Sequence, residues 1–324
     1  MPLPTNAVDL EFRNVSRRYG NTLAVNDLSL TVPAGKICVL VGPSGCGKTT
    51  SLKMVNRLIE PTSGQILIGG RDVMAQDPIE LRRGIGYVIQ QVGLLPHLTV
   101  GDNVAIVPRL LGWDRMRIKS RVDDLLALTS LAPRTYRDRY PAQLSGGERQ
   151  RVGVARALAA DPPLMLMDEP FAAVDPIVRE RLQNELLRLQ EQLAKTIVFV
   201  THDIDEAIKL GDLVAVLQVG GVLAQFGPPS EILANPASPF VARFVGADRG
   251  LKRLSLTRVR DLELEPAPAD YIAQPGQPTL APQTTLKDAL SMMLDADVSA
   301  GVVVDHDGRV IGLLTYDAIA AALR

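Results

Sequence analysis

The chain has 324 residues, of which 46% are hydrophobic and 22% charged, a composition that suits about two globular domains. Its 35 basic and 36 acidic side chains give a formal net charge of −1, which excludes the strong basic excess typical of nucleic-acid-binding proteins. We expect no secretion signal and no membrane span, because the apolar runs are far shorter than the ~20 residues that cross a bilayer.

Apolar patterns predict three strands in the first 41 residues. Residues 8–12 and 24–32 alternate apolar with polar side chains, and residues 37–41 form a continuous run typical of a strand buried on both faces. A glycine-rich loop follows, and then a predicted helix from Thr49 to Ile59. Cys38 is expected in the core and Cys46, in the loop, as a partly exposed thiol. Two cysteines are too few for a disulfide framework and indicate a reduced, cytosolic protein.

Helices and strands are predicted to alternate through most of the remaining chain. Residues 95–160 are mostly helical, and buried strands follow at 163–167 and 196–200. Between these strands, Asp175 and Pro176 supply an N-cap and a first-position proline for a helix. Residues 213–226 are predicted to form a hairpin. The fold class is therefore α/β, with a mostly parallel sheet between helices and an antiparallel side sheet built from the first strands and this hairpin.

The composition changes after Leu256. Pro266, Pro268 and Pro275 lie in a stretch with little periodicity, which predicts a linker. From Thr279 a small β-α-β-β-α unit is predicted, with a helix at 286–294 and strands at 300–304 and 310–314. The predicted domains are 1–250, a linker at 251–278, and 279–324.

A glycine-rich segment at residues 42–49 fits the phosphate-loop pattern of two glycines, a lysine and a hydroxyl residue. Backbone N–H groups and the following helix N-terminus attract phosphate, and Lys48 adds a point charge. The Thr49 hydroxyl is expected to coordinate Mg²⁺. A chance glycine turn is the alternative, but the strand before the loop and the helix after it favour a nucleotide site. We predict ATP binding by Gly42, Pro43, Ser44, Gly45, Cys46, Gly47, Lys48, Thr49 and Thr50.

Two acids end the predicted strand at 163–167. Alone, Asp168 and Glu169 could equally belong to a solvated turn or a helix cap. At the carboxyl edge of a sheet that also carries a phosphate loop, they indicate a metal and a base site. We predict that Asp168 holds Mg²⁺ through water and that Glu169 polarises the attacking water.

A third motif, Leu-Ser-Gly-Gly-Glu at residues 144–148, opens a predicted helix and offers a second helix N-terminus and a hydroxyl for phosphate. By itself it could be an ordinary N-cap. It lies between the phosphate loop and the acidic strand, and with these motifs the chain resembles the ABC ATPase family over about residues 8–246.

The resemblance implies a P-loop NTPase (RecA-like) fold with an antiparallel side sheet and a helical subdomain. It also implies a head-to-tail dimer in which each ATP lies between the phosphate loop of one copy and Ser145, Gly146 and Gly147 of the other. One chain carries one motif set, so a second copy of the chain is the expected partner.

Four further positions match the family. Tyr19 resembles the aromatic residue that stacks on adenine, although from its pattern alone a core position is equally expected. Gln90 resembles the glutamine that links the Mg²⁺ site to the transmembrane partner. Asp175 matches the aspartate that bridges the two subunits, and His202 matches the histidine that contacts the γ-phosphate.

Near Asp175 the chain departs from many relatives, which have glycine and leucine where it has Ala172 and Val174. Both changes are small and apolar, so the chemistry is expected to remain in place. The loop at residues 94–98 is expected to form part of a groove for a short helix of a transmembrane partner. The alternative for this loop is burial against its own helical domain.

A separate ATPase chain is typical of bacterial importers. Only 55 positions separate Gln90 from Ser145, which leaves no room for the coiled-coil arms of chromosome-maintenance relatives. The chain is most similar to ATPase subunits of quaternary-amine osmoprotectant importers (glycine betaine, carnitine, choline, proline betaine). This similarity lies at residues 51–59, 87–92, 199–206 and 244–250. It implies transmembrane permease subunits, an extracytoplasmic solute-binding protein acting indirectly, and a position at the cytoplasmic face of the membrane.

The C-terminal unit resembles one cystathionine-β-synthase-type (CBS) repeat. Residues 312–315 resemble the nucleotide motif of that repeat, but Ala318 stands where an acid is expected and Asp317 lies one place early. From Thr279 onward there are three basic and six acidic residues, whereas a sensor of anionic lipid would need basic charge. Nucleotide binding, ionic-strength sensing and simple pairing of two tails all remain open.

Three other functions remain as alternatives: an importer ATPase for another solute class, a non-transport ABC ATPase, and a regulatory subunit that binds ATP with little turnover. The presence of Lys48, Glu169 and His202 argues against the last of these.

Overall fold

The computed structural model describes residues 6–90, 93–172, 174–268, 271 and 276–323. The chain divides into two compact units, Met1–Gly227 and Pro228–Arg324. The boundary between the compact units therefore lies after Gly227, whereas composition and family resemblance predicted that the first domain ends at residue 250. The predicted limits of 250 and 278 stay predictions.

A six-stranded central sheet forms the middle of the first unit, in the order β10-β9-β3-β8-β7-β6. The neighbouring strands β9, β3, β8, β7 and β6 pair in parallel, and β10 pairs with β9 in the antiparallel direction. Its strands are β3 (Ile37–Val41), β6 (Ile85–Val88), β7 (Leu164–Asp168), β8 (Thr196–Thr201), β9 (Leu213–Gln218) and β10 (Val222–Gly227). Every residue of β3, β7 and β8 is buried, as expected for strands that are covered on both faces.

The hairpin at 213–226 forms as predicted, but its placement in the side sheet was wrong. β9 pairs in parallel with β3 and so belongs to the central sheet. The local apolar pattern defines a hairpin without indicating which strand its outer edge will pair with.

The antiparallel side sheet has four strands in the order β2-β1-β4-β5. They are β1 (Leu10–Tyr19), β2 (Thr22–Val32), β4 (Ser63–Ile68) and β5 (Arg71–Asp72). One hydrophobic cluster includes Phe12, Leu28 and Ile66 of this sheet with Leu40 and Leu166 of the central sheet. The two sheets of the first unit therefore share a core.

Eight helices surround these sheets in the described part of the first unit. They are α1 (Lys48–Val55), α2 (Pro78–Arg83), α3 (Val100–Leu110), α4 (Arg115–Leu128), α5 (Pro133–Tyr136), α6 (Gly146–Leu158), α7 (Pro176–Leu193) and α8 (Ile204–Leu210). Helix α3 packs on α4 and α6, which gives the helical subdomain that the family resemblance implied.

Helix α1 ends four residues before the predicted limit at Ile59. Asn56 caps it, and the Asn56 side chain accepts a hydrogen bond from the backbone N–H of Leu58. Arg57 has a left-handed φ of 53°. A polar side chain that bonds its own backbone competes with the helix and stops it here.

The second unit contains the predicted β-α-β-β-α arrangement: β11 (Thr279–Leu280), α12 (Leu286–Asp295), β12 (Ala300–Val304), β13 (Val310–Thr315) and α13 (Tyr316–Ala321). It also contains α9 (Pro229–Ala234), α10 (Pro239–Val245) and α11 (Arg249–Leu254). No helix in the described ranges is long and apolar enough to cross a membrane.

Part of the stretch predicted as a linker is packed into this second unit. Leu254 and Val259 are buried in one cluster with Leu286, Met293 and Leu314. The apolar residues before Pro266 supply this contact, which the prolines of the stretch obscure in the sequence. Residues 269–270 and 272–275, including Pro275, lie outside the described residues.

Replacing Gly221 by alanine should destabilise the first unit more than replacing Gly220. Both glycines have a left-handed φ, which costs about 1–2 kcal/mol for a residue with a Cβ. A Cβ on Gly221 would also lie 2.4 Å from the Ala24 carbonyl oxygen, whereas one on Gly220 would have nothing within 4 Å. We expect Gly221→Ala to lower the free energy of unfolding by about 1–3 kcal/mol more than Gly220→Ala in denaturant titrations. Equal losses would contradict the close approach.

Candidate nucleotide-binding and hydrolysis site

The phosphate loop runs from the end of β3 to the start of α1. Glycine is required where the loop passes close to other backbone: a Cβ would lie 2.2 Å from the Leu217 carbonyl oxygen at Gly42, and 2.2 Å from the Ala24 carbonyl oxygen at Gly47. The amine of Lys48 donates to the Gly42 carbonyl at 2.8 Å and to the Pro43 carbonyl at 3.0 Å. The lysine therefore lies folded against the loop that is predicted to hold the phosphates.

Cys46 is buried, so the prediction of a partly exposed thiol was wrong. The loop turns its side chain toward the protein interior, and the sulfur lies 3.8 Å from the Lys48 amine. Burial raises the pKa of the Cys46 thiol, an effect that Lys48 partly opposes. Cys38 is fully buried in β3, as predicted, and burial raises the pKa of its thiol to about 12.

Asp168 lies at the end of β7, beside the phosphate loop. It is 6% exposed, and its carboxylate accepts a hydrogen bond from the Thr49 hydroxyl at 2.8 Å. Burial raises the pKa of Asp168, while the bond from Thr49 and the charge of Lys53 act in the opposite direction. A hydroxyl and a carboxylate that meet in this way are hard oxygen donors of the kind that Mg²⁺ prefers, so the residues fit the predicted metal.

Glu169 and His202 are brought together across the ends of β7 and β8. The Nδ1 atom of His202 lies 3.2 Å from the Oε2 atom of Glu169. The Glu169 backbone has a left-handed φ of 44°, and its N–H donates to the Val200 carbonyl at 3.0 Å. A strained backbone that is anchored by a neighbouring strand is typical of a functional position.

Residues 144–148 form the start of α6. Ser145 caps the helix by accepting from the Glu148 N–H, and the Glu148 carboxylate accepts from the Ser145 N–H at 2.7 Å. The hydroxyl of Tyr136 donates to the same carboxylate at 2.7 Å, and this bond and the backbone bond lower the pKa of Glu148. Reciprocal capping leaves Gly146 and Gly147 in the first turn, where helix N–H groups point outward.

Other predicted site residues lie on separate elements. Asp175 caps α7 by accepting from the Val178 N–H at 3.1 Å. Tyr19 is 44% exposed at the end of β1, with the Arg17 guanidinium over its ring, so the core alternative was wrong. Adenine stacking by Tyr19 stays a prediction. Gln90 is exposed just beyond β6. Ser44, Gly45 and Thr50 lie in the loop and the first turn of α1.

Sequence reasoning missed a buried polar cluster behind His202. Gln183 donates to the Glu206 carboxylate at 3.0 Å, and both residues are buried. Burial raises the pKa of Glu206, while bonds to Thr201 and Gln183 lower it. A buried acid on α8 offers no periodic signal in the sequence. The capping pair of Ser145 and Glu148, in contrast, is spaced as a capping box and could have been found.

Two family models match the chain: ABC transporter at residues 25–172 and CBS domain at residues 270–324. The osmoprotectant import ATP-binding protein OsmV of Salmonella typhimurium is 51% identical over 90% of this chain and 74% of its own length. The chain belongs to the ABC transporter family of ATP-binding proteins.

Other relatives and solved structures agree with this assignment. The glycine betaine/carnitine/choline transport ATP-binding protein OpuCA of Bacillus subtilis is 48% identical over 96% of this chain and 79% of its own length. The solved structure of cbiO1 from Clostridium perfringens matches 70% of this chain and 91% of its own with a TM-score of 0.65 and 27% identity. The cassette MJ0796, solved as a dimer bound to ADP and Pi, matches 68% of this chain and 98% of its own with a TM-score of 0.60 and 33% identity. As an ABC ATPase, the chain binds and hydrolyses ATP.

Proposed function

We propose that this ABC ATPase energises the import of a quaternary-amine osmoprotectant of the glycine betaine, carnitine, choline or proline betaine class. The observation that carries the proposal is the agreement among relatives, which match nearly the whole chain. OsmV is named for osmoprotectant import and OpuCA for glycine betaine, carnitine and choline. The glycine betaine uptake ATP-binding protein YehX of Escherichia coli is 46% identical over 95% of this chain and 97% of its own length.

In the proposed mechanism the phosphate loop binds the ATP phosphates through its backbone N–H groups and the amine of Lys48. Thr49 and Asp168 would hold Mg²⁺, Asp168 through water, with Gln90 in the role implied by the family, and the metal would neutralise phosphate charge. Glu169 orients and polarises the attacking water. We propose that His202 contacts the γ-phosphate and holds Glu169 in position, which is supported by the 3.2 Å between its Nδ1 atom and Oε2 of Glu169. Catalysis is mainly electrostatic positioning.

A second copy of the chain completes each site in this proposal. Ser145, Gly146 and Gly147 of the partner copy offer helix N–H groups and a hydroxyl to the bound ATP, and Asp175 bridges the two copies. The support is the capped N-terminus of α6 together with the dimeric state of the MJ0796 cassette. Closure of the dimer would then drive the membrane partners, and phosphate release would reopen it.

Permease subunits are proposed to hold the chain at the cytoplasmic face of the membrane, with a solute-binding protein acting on the far side. A groove of about 230 Å³ is lined by Leu58, Arg82, Tyr87 and Val107 among others. In the loop at 94–98, Leu95 is 40% exposed and Leu94 and Leu98 are half-buried, so the loop offers apolar surface for a partner. We propose that the groove and this loop receive a short helix of the permease.

We further propose that the CBS-like units of two chains pair. Apolar side chains are exposed on α12 and β13: Leu294 is 62% exposed and Ile311 48%. Burial of such side chains against a second copy would stabilise the dimer by about 25 cal/mol per Å².

Glu169→Gln should lower ATP turnover by about 10²–10⁴-fold while ATP binding is retained, because the amide keeps the shape of the side chain but is no base. The measurement is steady-state phosphate release, with binding followed by a fluorescent ATP analogue. Glu191→Gln, an exposed acid on α7, is the matched control and should turn over normally. Unchanged turnover in Glu169→Gln would contradict the role of Glu169.

Purification of the tagged full-length chain from detergent-solubilised native membranes should recover a multi-spanning permease and a betaine-type binding protein, identified by mass. Leu58→Asp should lose both, because it places a charge in the apolar part of the groove. Leu110→Asp, at a similarly exposed position on α3 that does not line the groove, should retain them.

Two other results would contradict this proposal. Recovery of a permease of another solute family would overturn the osmoprotectant assignment but would leave the role of the chain as a transport ATPase unchanged. Recovery of no membrane chain, with ATPase activity intact, would favour a non-transport ABC ATPase.

Ile311→Glu should convert an ATP-free dimer of the full chain into a monomer in size-exclusion chromatography with light scattering, because a charge would be buried at the paired face. Ile79→Glu, an exposed isoleucine on α2, is the control and should stay dimeric. An ATP-free wild-type monomer at all concentrations would contradict tail pairing.

A further inference from the structure

We propose that Arg179 is a positioning residue that couples the segment before Asp175 to the segment that carries His202. The proposal rests on the functions proposed above for Asp175 and His202. No motif of the sequence singled out this arginine. It lies in the first turn of α7, four residues after the N-cap, and its backbone N–H donates to the Asp175 carbonyl at 2.8 Å.

The first contact of Arg179 is with the backbone before Asp175. Its Nη2 atom donates to the Val174 carbonyl at 3.1 Å. Two long backbone bonds are also found here: the Ala172 N–H donates to the Glu169 carbonyl at 3.2 Å, and the Val174 N–H donates to the Phe171 carbonyl at 3.3 Å. The arginine therefore adds a charge-assisted bond at the point where this segment enters the helix.

The second contact is with the neighbour of His202. The Nη1 atom of Arg179 lies 3.9 Å from Oδ2 of Asp203. The other carboxylate oxygen of Asp203, Oδ1, caps α8 by accepting from the Asp205 N–H at 2.8 Å. One side chain thus bonds to the Val174 carbonyl and lies within ion-pair distance of the residue that follows His202.

The same turn of α7 also approaches the first turn of α6. A Cβ built on Gly147 would lie 3.1 Å from Cγ1 of Val178. Residues 174–179 are therefore next to two groups proposed to meet ATP: Gly147, which would contact the ATP of the second copy, and His202, which would contact the ATP of its own. A shift of this segment would change the positions of both groups. In our proposal, Arg179 holds the segment in place relative to Asp203.

A purely stabilising role fits the contacts poorly. The side chains of Arg179 and Asp203 are 32% and 37% exposed, and partly exposed pairs contribute little to folding. Loss of the guanidinium should therefore leave the fold intact. It should instead misplace Asp175 and His202 during closure, which lowers kcat and leaves the binding of ATP to the phosphate loop unchanged.

The test measures kcat and KM for ATP on the full-length chain with Arg179→Ala, Arg179→Lys, Asp203→Asn and the double variant Arg179→Ala/Asp203→Asn. Asparagine keeps Oδ1 as the helix cap and removes the charge that faces Arg179. Arg181→Ala removes an exposed arginine from the same helix as the control. His202→Ala is measured in parallel.

We expect Arg179→Ala and Asp203→Asn each to lower kcat about tenfold with KM changed less than twofold. The double variant should be no slower than the single ones, because both remove one interaction. Arg179→Lys should recover part of the rate, and the control should equal the wild type.

Wild-type kcat in Arg179→Ala, or a double variant whose loss is the product of the single losses, would overturn the inference alone. A wild-type rate in His202→Ala would overturn the proposed role of His202 and the inference with it.

Discussion

The site depends on the register of three buried parallel strands. Val41 at the end of β3 pairs with Thr201 at the end of β8, and Val200 of β8 pairs with Asp168 at the end of β7. Because the strands run in the same direction, the residues that follow them leave the sheet at one edge. The phosphate loop, Glu169 and His202 meet there. A slip of one residue in either pairing would separate them and also reverse the faces of a fully buried strand.

Backbone conformation and side-chain contacts both position the functional residues at this edge of the sheet. Glu169 holds a left-handed backbone, and Asp168 keeps a buried carboxylate in contact with Thr49. Both cost free energy in isolation. Neighbouring strands offset these costs through the bond from Glu169 to Val200 and through close packing of the core. The functional residues are thus held by the strands that they end or follow.

Much of this arrangement was predictable because it follows from local patterns. Continuous apolar runs gave β3, β7 and β8, and the spacing of glycines, lysine and acids gave the residues at their ends. The fold class and the small C-terminal unit followed in the same way. The partner of β9, the buried side of Cys46 and the end of α1 at Asn56 depend on contacts between distant segments or on one side-chain bond. Arg179 and Glu206 could not be predicted for the same reason. Glu206 accepts from Gln183, which is 23 residues away in sequence, and Arg179 donates to the backbone carbonyl of Val174.

The close approach of Gly42 to Leu217 and of Gly47 to Ala24 has a consequence for how the chain can change over time. Both glycines face carbonyl oxygens, so these two close contacts do not depend directly on the side chains at positions 217 and 24. Leu217 itself is buried in the core, so a substitution there acts on core packing rather than on this backbone contact. Insertions or deletions in β2 or β9 are a different matter, because they move the carbonyl oxygens themselves. The position of the loop is therefore tied to the length and course of these two strands.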